Sequence, residues 1–381
     1  MAAAGLDMLS SMVITRIMKG FVDARENQPS RLRFSSRLPK VNASPNEMFA
    51  RFIGRVLIAD MIARDSAAGV YSSGKMDFVS YDMPKLKIGR SLTESQLEQF
   101  NQIRTGASVG ESMILDFIGP VVENCLIGIE NRKEALAVAM MRDRLDYDRL
   151  GYKASGSLWG MPSDLKVTPA IPWTAASTAT PVDDVLTVRL LGSQKYGVEF
   201  DRMTMSMTAL RYAIATTEFA TKAKLFFRAD ITIANTSLMN LEMQKRLFED
   251  VTGMSVELSD QRYFYQTAAG AIEGTRYLPI NEVIIDSSQN DGNSAVWDMA
   301  QGPVIETMLL GLNPAAVVGG GLPEARRGPI GYMTFPPDLN PPNVTVWGVD
   351  CAFPRRHMPA ANAHMTVGSF TDMIPVADIS F

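Results

Sequence analysis

The sequence has few of the side chains on which most enzymes and secreted proteins depend. Its 381 residues include two histidines and two cysteines, Cys125 and Cys351. Histidine is the commonest acid–base group in active sites, so its scarcity argues against catalysis of that kind. Two cysteines far apart in the chain do not make a disulfide framework and fit a reducing cytosol. No run of 18 apolar residues occurs and the first residues lack the basic region of a secretory signal, so we expect neither a membrane span nor a leader.

A basic excess is also lacking. The formal net charge is -4, whereas a dedicated nucleic-acid-binding protein is usually clearly basic. The hydrophobic fraction of 46% is ordinary and is enough for at least one sizeable core. The first 40 residues differ from the rest, because seven basic and three acidic residues give them a local charge of +4. This segment is predicted to be either a solvated surface or an arm that touches a neighbouring chain or a polyanion.

One short motif is compatible with an enzyme. Residues 106–110 match G-x-S-x-G, the nucleophile elbow of α/β-hydrolases, in which Ser108 would be the nucleophile. The elbow requires a buried strand directly before the serine, but residues 97–105 are polar and have a helical pattern. The segment is not a phosphate-binding loop, because Glu111 stands where such a loop needs lysine.

A metal site is not expected either. Cys351, His357 and His364 lie close together in the sequence, but their spacing matches no zinc motif. Three such ligands would also leave a tetrahedral site incomplete. The sequence therefore predicts no metal, no cofactor and no enzymatic activity, with a serine hydrolase that uses Ser108 as a remote alternative.

Hydrophobic periodicity predicts a chain of mixed helices and strands, of the α+β class. The clearest helix covers residues 120–146, with Pro120 in its first turn and charges of both signs in its second half. Further helices are predicted over residues 46–64, 181–196, 204–221 and 238–251. Strands are predicted over residues 255–258, 263–266, 276–279, 282–285, 332–335, 344–349 and 363–367.

The alternating pattern of residues 66–92 predicts a polar β-hairpin with strands at 76–81 and 85–89. In the second strand Leu86 and Ile88 share one face, and Lys85 and Lys87 share the other. An isolated hairpin is marginally stable in water, so we expect its apolar face to lie on another surface. The residues predicted to make inter-subunit contacts are Lys85, Leu86, Lys87, Ile88, Glu130, Arg132, Glu134, Arg142 and Asp143.

The order of these segments resembles that of tailed-bacteriophage major capsid proteins of the lambda protein E type. Residues 83–93 resemble the returning strand of that family's extended loop, and residues 122–135 resemble its spine helix. Residues 173–185 and 198–206 are similar to the stretch that leads into the A-domain and the strand that follows. Residues 276–285 resemble a late A-domain segment, and residues 336–342 and 353–359 resemble the closing P-domain stretch.

The resemblance implies the Hong Kong 97-like capsid fold. In that fold the apolar face of residues 66–92 would cover the spine helix and P-domain of the adjacent subunit. It divides the chain into an N-terminal arm with short helices (residues 1–60), an extended loop (61–110), a P-domain with the spine helix (111–200), an A-domain (201–325) and a return to the P-domain (326–381).

The resemblance also implies a structural function. The chain would assemble as hexamers and pentamers into an icosahedral head around the double-stranded DNA of a tailed phage. Expected partners are a scaffolding protein and a portal during assembly, a decoration protein, and packaged DNA through non-specific contacts, without a membrane. The expected location is the virion capsid, with assembly in the host cytoplasm. An encapsulin-like nanocompartment shell, which has the same fold, stays open as an alternative.

Overall fold

The computed structural model describes ten stretches of the chain and a few isolated positions. The stretches are residues 33–44, 48–53, 75–80, 83–92, 111–149, 152–227, 239–266, 272–304, 327–334 and 344–370. By their internal contacts the residues divide into two compact units. Unit 1 is Met1–Met48, Ser80–Ala137 and Asp298–Arg355, and unit 2 is Phe49–Val79, Val138–Trp297 and Arg356–Phe381.

Unit 1 is built on a five-stranded sheet. Its strands are β1 (Lys40–Asn42), β4 (Lys85–Leu92), β13 (Trp297–Gln301), β14 (Ile330–Thr334) and β15 (Val344–Arg356). The 13-residue strand β15 is central, because it neighbours β13, β14 and β4. Strand β4 runs antiparallel to it, with Leu86 opposite Asp350 and Gly89 opposite Trp347. The short strand β1 lies at the edge, parallel to β13.

Helix α1 (Glu111–Arg142) is the longest element of the described chain. Residues of its middle turns, among them Val122, Cys125, Leu126 and Ile129, are at most 2% exposed. This 3–4 spacing gives one apolar face along the helix. The helix contacts the sheet closely at Gly348 of β15, where an added Cβ would lie 3.0 Å from the Cβ of Cys125. A glycine is needed there because two backbones approach with no room for a side chain.

Unit 2 contains a second five-stranded sheet in the order β7-β16-β12-β8-β9. These strands are β7 (Lys166–Val167), β8 (Arg202–Met205), β9 (Ser255–Leu258), β12 (Glu282–Asp286) and β16 (Asn362–Thr366). Strand β12 is buried at every position and is antiparallel to both β8 and β16. Its continuous apolar centre is typical of a strand covered on both faces.

Four helices accompany this sheet: α2 (Pro181–Leu191), α3 (Met207–Ile214), α4 (Thr217–Phe227) and α5 (Leu241–Thr252). Their starts follow ordinary capping chemistry. Ser206 caps α3 by accepting the N–H of Ala209, and Asn240 caps α5 by accepting the N–H of Met243. Helix α5 ends at Gly253, which has the left-handed φ of 64° that glycine adopts without strain.

Three two-stranded pairs complete the described elements. They are β2 (Met48–Ile53) with β3 (Lys75–Ser80), β5 (Tyr147–Arg149) with β6 (Tyr152–Ala154), and β10 (Arg262–Gln266) with β11 (Ile272–Arg276). Three fully buried tryptophans, Trp159, Trp173 and Trp297, are core residues. No helix in the described ranges is long and apolar enough to cross a membrane.

The predicted elements agree with the structure over most helices and strands, with four corrections. The long helix starts nine residues before Pro120, which lies inside it, and it ends at Arg142 rather than residue 146. The end is set by Asp143, whose φ of 52° is left-handed and cannot continue a helix. The helix predicted over residues 204–221 is interrupted: β8 occupies its start, and α3 and α4 are separate. The strand predicted at 276–279 lies earlier, at Ile272–Arg276.

The fourth correction concerns residues 46–64 and the hairpin. Met48–Ile53 is a strand rather than helix, and residues 54–64 lie outside the described residues. A short apolar run fits both periods, so periodicity did not separate strand from helix there. The predicted strands at 76–81 and 85–89 do not pair with each other: β3 pairs with β2, whereas β4 pairs with β15. Residues 75–80 therefore pair with residues 48–53 and not with residues 85–92.

Candidate assembly site

The alternation predicted for strand β4 is confirmed. Leu86 is 8% exposed, Ile88 is half-buried, and Lys85 and Lys87 are exposed. An added Cβ at Gly128 of α1 would lie 2.7 Å from Cδ1 of Ile88, so Ile88 packs directly against the helix. Ile88 is thus covered by α1 of the same chain, and Leu86 is buried within the chain, which corrects the expectation that a neighbouring subunit covers this face.

The opposite face of β4 carries the lysines. The Nζ atom of Lys87 lies 4.2 Å from the ring centroid of Trp347, a cation–π distance. Trp347 itself lies over Gly89, because an added Cβ there would be 2.6 Å from its ring. The lysines, together with Glu130 and Arg132 on partly exposed positions of α1, stay predicted as inter-subunit contacts.

Glu134 is not a surface residue. It is 1% exposed, and its carboxylate accepts three consecutive backbone N–H groups. Arg33 and Phe34 donate to Oε1 at 3.0 and 2.9 Å, and Ser35 donates to Oε2 at 2.7 Å. An ionised acceptor makes such hydrogen bonds stronger than neutral ones. The interpretation of Glu134 as a contact to another subunit is therefore corrected.

Its neighbour Lys133 also points inward. Lys133 forms an ion pair with Asp350 of β15, and the two side chains are 11% and 0% exposed. A buried charge is tolerated when it is paired, and removal of one partner is strongly destabilising. The pair fixes α1 on the sheet of unit 1, a role that spacing in the sequence does not reveal.

Arg142 is held inside unit 2. It donates to both carboxylate oxygens of Glu282, with Nη2 2.6 Å from Oε1. His364 Nε2 lies 2.9 Å from Oε2 of the same carboxylate. Burial raises the pKa of Glu282, but hydrogen bonds from His364 and Arg142 outweigh it and leave that pKa below its ordinary value. The carboxylate therefore stays ionised and joins α1 to strands β12 and β16.

Asp143 is 2% exposed and organises the loop after α1. Its carboxylate accepts the backbone N–H of Trp159 at 2.7 Å and of Met161 at 2.9 Å. Lys166 Nζ lies 2.7 Å away. Burial raises the pKa of Asp143, but the hydrogen bonds from Lys166 and Ser157 outweigh it and lower that pKa overall. Asp143 thus makes its hydrogen bonds and its ion pair inside the subunit, which corrects its interpretation as an inter-subunit contact.

The residues considered for chemistry are not brought into one site. Cys125 is buried, and this burial raises the pKa of its thiol. His364 serves the Glu282 cluster, and Cys351 is buried in unit 1. In the described ranges no group of three or more His, Cys, Asp or Glu side chains could hold a metal ion. Ser108 and its motif lie outside the described residues.

A feature that the sequence reasoning missed is the exposed apolar surface of unit 2. Among the described residues, all nine large hydrophobic side chains that are exposed belong to this unit. The most exposed are Leu225 (74%), Ile272 (70%) and Phe226 (61%). The nine are Ile171, Leu186, Leu190, Leu225, Phe226, Phe227, Met243, Phe264 and Ile272. Concentration of such side chains in one part of a chain is typical of protein–protein contact.

No protein-family model and no curated protein sequence matches the chain. Solved structures do match along nearly its whole length. A prophage protein of E. coli CFT073, described as its capsid protein, has a TM-score of 0.58 at 12% identity, with 93% of this chain and 99% of that chain covered. A phage-related protein from Bordetella bronchiseptica RB50 has a TM-score of 0.50 at 15% identity, with 93% and 95% covered. The mixed helices and sheets of this chain therefore have the Hong Kong 97-like fold of phage capsid proteins, as the order of its segments predicted.

Proposed function

We propose that the chain is the major capsid subunit of a tailed phage and that it performs no catalysis. The observation that carries the proposal is the likeness of fold to a prophage capsid protein over 93% of this chain and 99% of that one. The exposed apolar side chains of unit 2 support an assembling protein, because a monomer gains nothing from leaving Leu225 and Phe226 in water.

Assembly is the activity to test. The expressed chain should form rings or closed shells that negative-stain electron microscopy resolves, and light scattering should give masses far above that of one subunit. We expect the interfaces to bury well above about 2,000 Å² per subunit in total, as in obligate assemblies. A stable monomer at high concentration, with scaffolding protein and portal supplied, would contradict the proposal. Portal and terminase genes beside the coding sequence would favour a phage head over a nanocompartment shell.

The lysines of β4 are proposed to contact a neighbouring subunit. Lys85 and Lys87 are exposed on the face of β4 that α1 does not cover. Exposed ion pairs are typically worth under about 1 kcal/mol each, so Lys85→Ala with Lys87→Ala should lower particle yield modestly and leave the subunit folded. Glu130→Ala with Arg132→Ala on α1 tests the complementary side. Unchanged yields and unchanged salt sensitivity in both double variants would remove these residues from the interface.

The first 40 residues are proposed to contact neighbouring subunits and the packaged DNA. Without the buried Arg37, their six basic and three acidic residues give a local charge of +3, which supports this against an overall charge of -4. Contacts of this type are independent of base sequence and weaken as salt rises. Deletion of residues 1–30 should reduce particle yield, and DNA retention by wild-type shells should fall with ionic strength. A base-sequence preference, or normal yield from the deletion, would contradict this part of the proposal. We propose that the chain is located in the virion capsid and that it assembles in the host cytoplasm.

A further inference from the structure

The backbone of residues 33–38 is held to unit 1 by one carboxylate. Glu134 on α1 accepts the N–H groups of Arg33, Phe34 and Ser35 within 2.7 to 3.0 Å, and both of its oxygens take part. Three successive amides directed at one anion form a concave binding site for negative charge. A neutral side chain at position 134 cannot satisfy all three donors with the same strength.

The segment so held is buried without being part of a sheet. Phe34 is 0% exposed and Leu38 is 3% exposed. Arg37 is 5% exposed, and its guanidinium carbon lies 4.9 Å from the ring centroid of Phe34. The only regular structure here is the single 3₁₀ turn Ser35–Arg37.

The chain on the C-terminal side of this segment is attached by a different means. The carbonyl of Pro39 accepts the N–H of Met299 at 2.9 Å. Strand β1 then pairs in parallel with β13 from Lys40 to Asn42. Residues 33–38 and strand β1 thus have independent attachments to the fold, so the first can separate while the second stays in place.

We propose that Glu134 is a latch that holds residues 33–38 on helix α1. Loss of its charge releases residues 33–38 as one local unit, while β1, helix α1 and the sheet stay folded. The role of Glu134 is positioning, since it acts through the backbone of another segment. The consequence for particle assembly rests on the proposed function, but the latch itself is a property of the isolated subunit.

Arg37 provides a direct reporter of release. Trypsin cleaves after arginine, and in the latched state the side chain of Arg37 is buried whereas that of Arg33 is exposed. In Glu134→Gln the side-chain volume is kept, but one oxygen is replaced by an N–H donor that faces a backbone N–H. We expect cleavage after Arg37 to be at least about tenfold faster than in the wild type. A tenfold increase corresponds to a loss of about 1.4 kcal/mol from the free energy that favours the closed over the released segment.

The matched control is Glu130→Gln, which makes the same chemical change one turn earlier on the same helix at a partly exposed position. Its cleavage rate after Arg37 should stay within twofold of the wild type. Hydrogen–deuterium exchange should show faster exchange of the amides of residues 33–38 in Glu134→Gln, with residues 40–42 and α1 still protected. Phe34→Ala is a second route to release, because it removes the buried ring and leaves the carboxylate intact; it should also accelerate cleavage after Arg37.

Two results would overturn the latch. One is an unchanged cleavage rate after Arg37 in both Glu134→Gln and Phe34→Ala. The other is loss of protection throughout unit 1 in Glu134→Gln, which would make Glu134 a general stability residue. Failure of the proposed function is distinguishable: the wild type would then form no particles, while the proteolysis and exchange results on the subunit would be unaffected.

Discussion

Replacement of Leu86 distinguishes an internal strand from an inter-subunit hairpin. Leu86 lies in the middle of unit 1 with 8% of its surface exposed, opposite Asp350 of the central strand β15. Truncation of a buried leucine to alanine removes its transfer free energy and leaves a cavity, at a cost of about 2–5 kcal/mol. Leu86→Ala should therefore lower the free energy of unfolding by that amount.

Leu86→Asp is the sharper change. It places a carboxylate in an apolar site beside Asp350, which is 0% exposed and is already paired with Lys133. Burial of an unpaired charge costs several kcal/mol. Added to the lost burial of leucine, this approaches the whole stability of an ordinary domain, about 5–15 kcal/mol. We expect unit 1 to unfold in this variant, even under conditions in which no particle forms.

The assay is urea unfolding followed by circular dichroism and tryptophan fluorescence on unassembled subunits. Lys85→Ala on the same strand is the control and should unfold close to the wild type, because Lys85 is exposed. The reasoning is refuted if Leu86→Asp unfolds at the wild-type urea concentration and affects particle yield alone. That result would mean that a neighbouring subunit, and not α1 of the same chain, covers this face.

Three further predictions concern close packing, acid sensitivity and thiol reactivity. In Gly348→Ala the new Cβ would lie 3.0 Å from the Cβ of Cys125, so α1 must shift. The free energy of unfolding should fall by about 1–3 kcal/mol, and the thermal unfolding midpoint should fall with it. An unchanged midpoint would contradict this packing. The pKa of Asp143 in the folded chain is below its ordinary value. Ionised Asp143 therefore stabilises the fold fully above the unfolded-state pKa of about 3.9, and this stabilisation is lost as the pH falls through the folded-state pKa. Unfolding midpoints measured between pH 6 and 3 should therefore fall less in Asp143→Asn than in the wild type, and equal slopes would exclude this origin. Burial raises the pKa of the Cys125 thiol, and Cys351 is also buried. Iodoacetamide at pH 8 should therefore label both thiols only after denaturation. Rapid labelling of the native chain would show that unit 1 opens.

Local pattern in the sequence was sufficient for much of the secondary structure. The alternation of Leu86 and Ile88 with two lysines predicted the strand and its two faces, because the side-chain period of a strand is two. Apolar residues at 3–4 spacing predicted helix α1 and the helix near residues 241–252. The order of segments along the chain then resembled one capsid family, and the fold agrees with that resemblance.

The functional interpretation of single residues was less accurate. Charged residues on α1 and directly after it were predicted to face other subunits, yet Glu134 and Asp143 are among the most buried acids of the described residues. A sequence shows that a residue carries charge, but it does not show whether backbone amides from a segment about 100 residues away satisfy that charge. The apolar exposure of unit 2 was missed for the converse reason, since Leu225 and Phe226 look like ordinary core residues until the surrounding chain is placed.

The sequence by itself determined most of the segments that are helix or strand and which face of β4 is apolar. These properties depend on neighbours within a few positions, where spacing fixes direction. Only the tertiary structure decided that β4 pairs with β15, that α1 packs against Ile88, and that Glu134 binds residues 33–35. Such pairings join positions up to hundreds of residues apart, and they are selected by burial and hydrogen bonding across the whole fold rather than by local pattern.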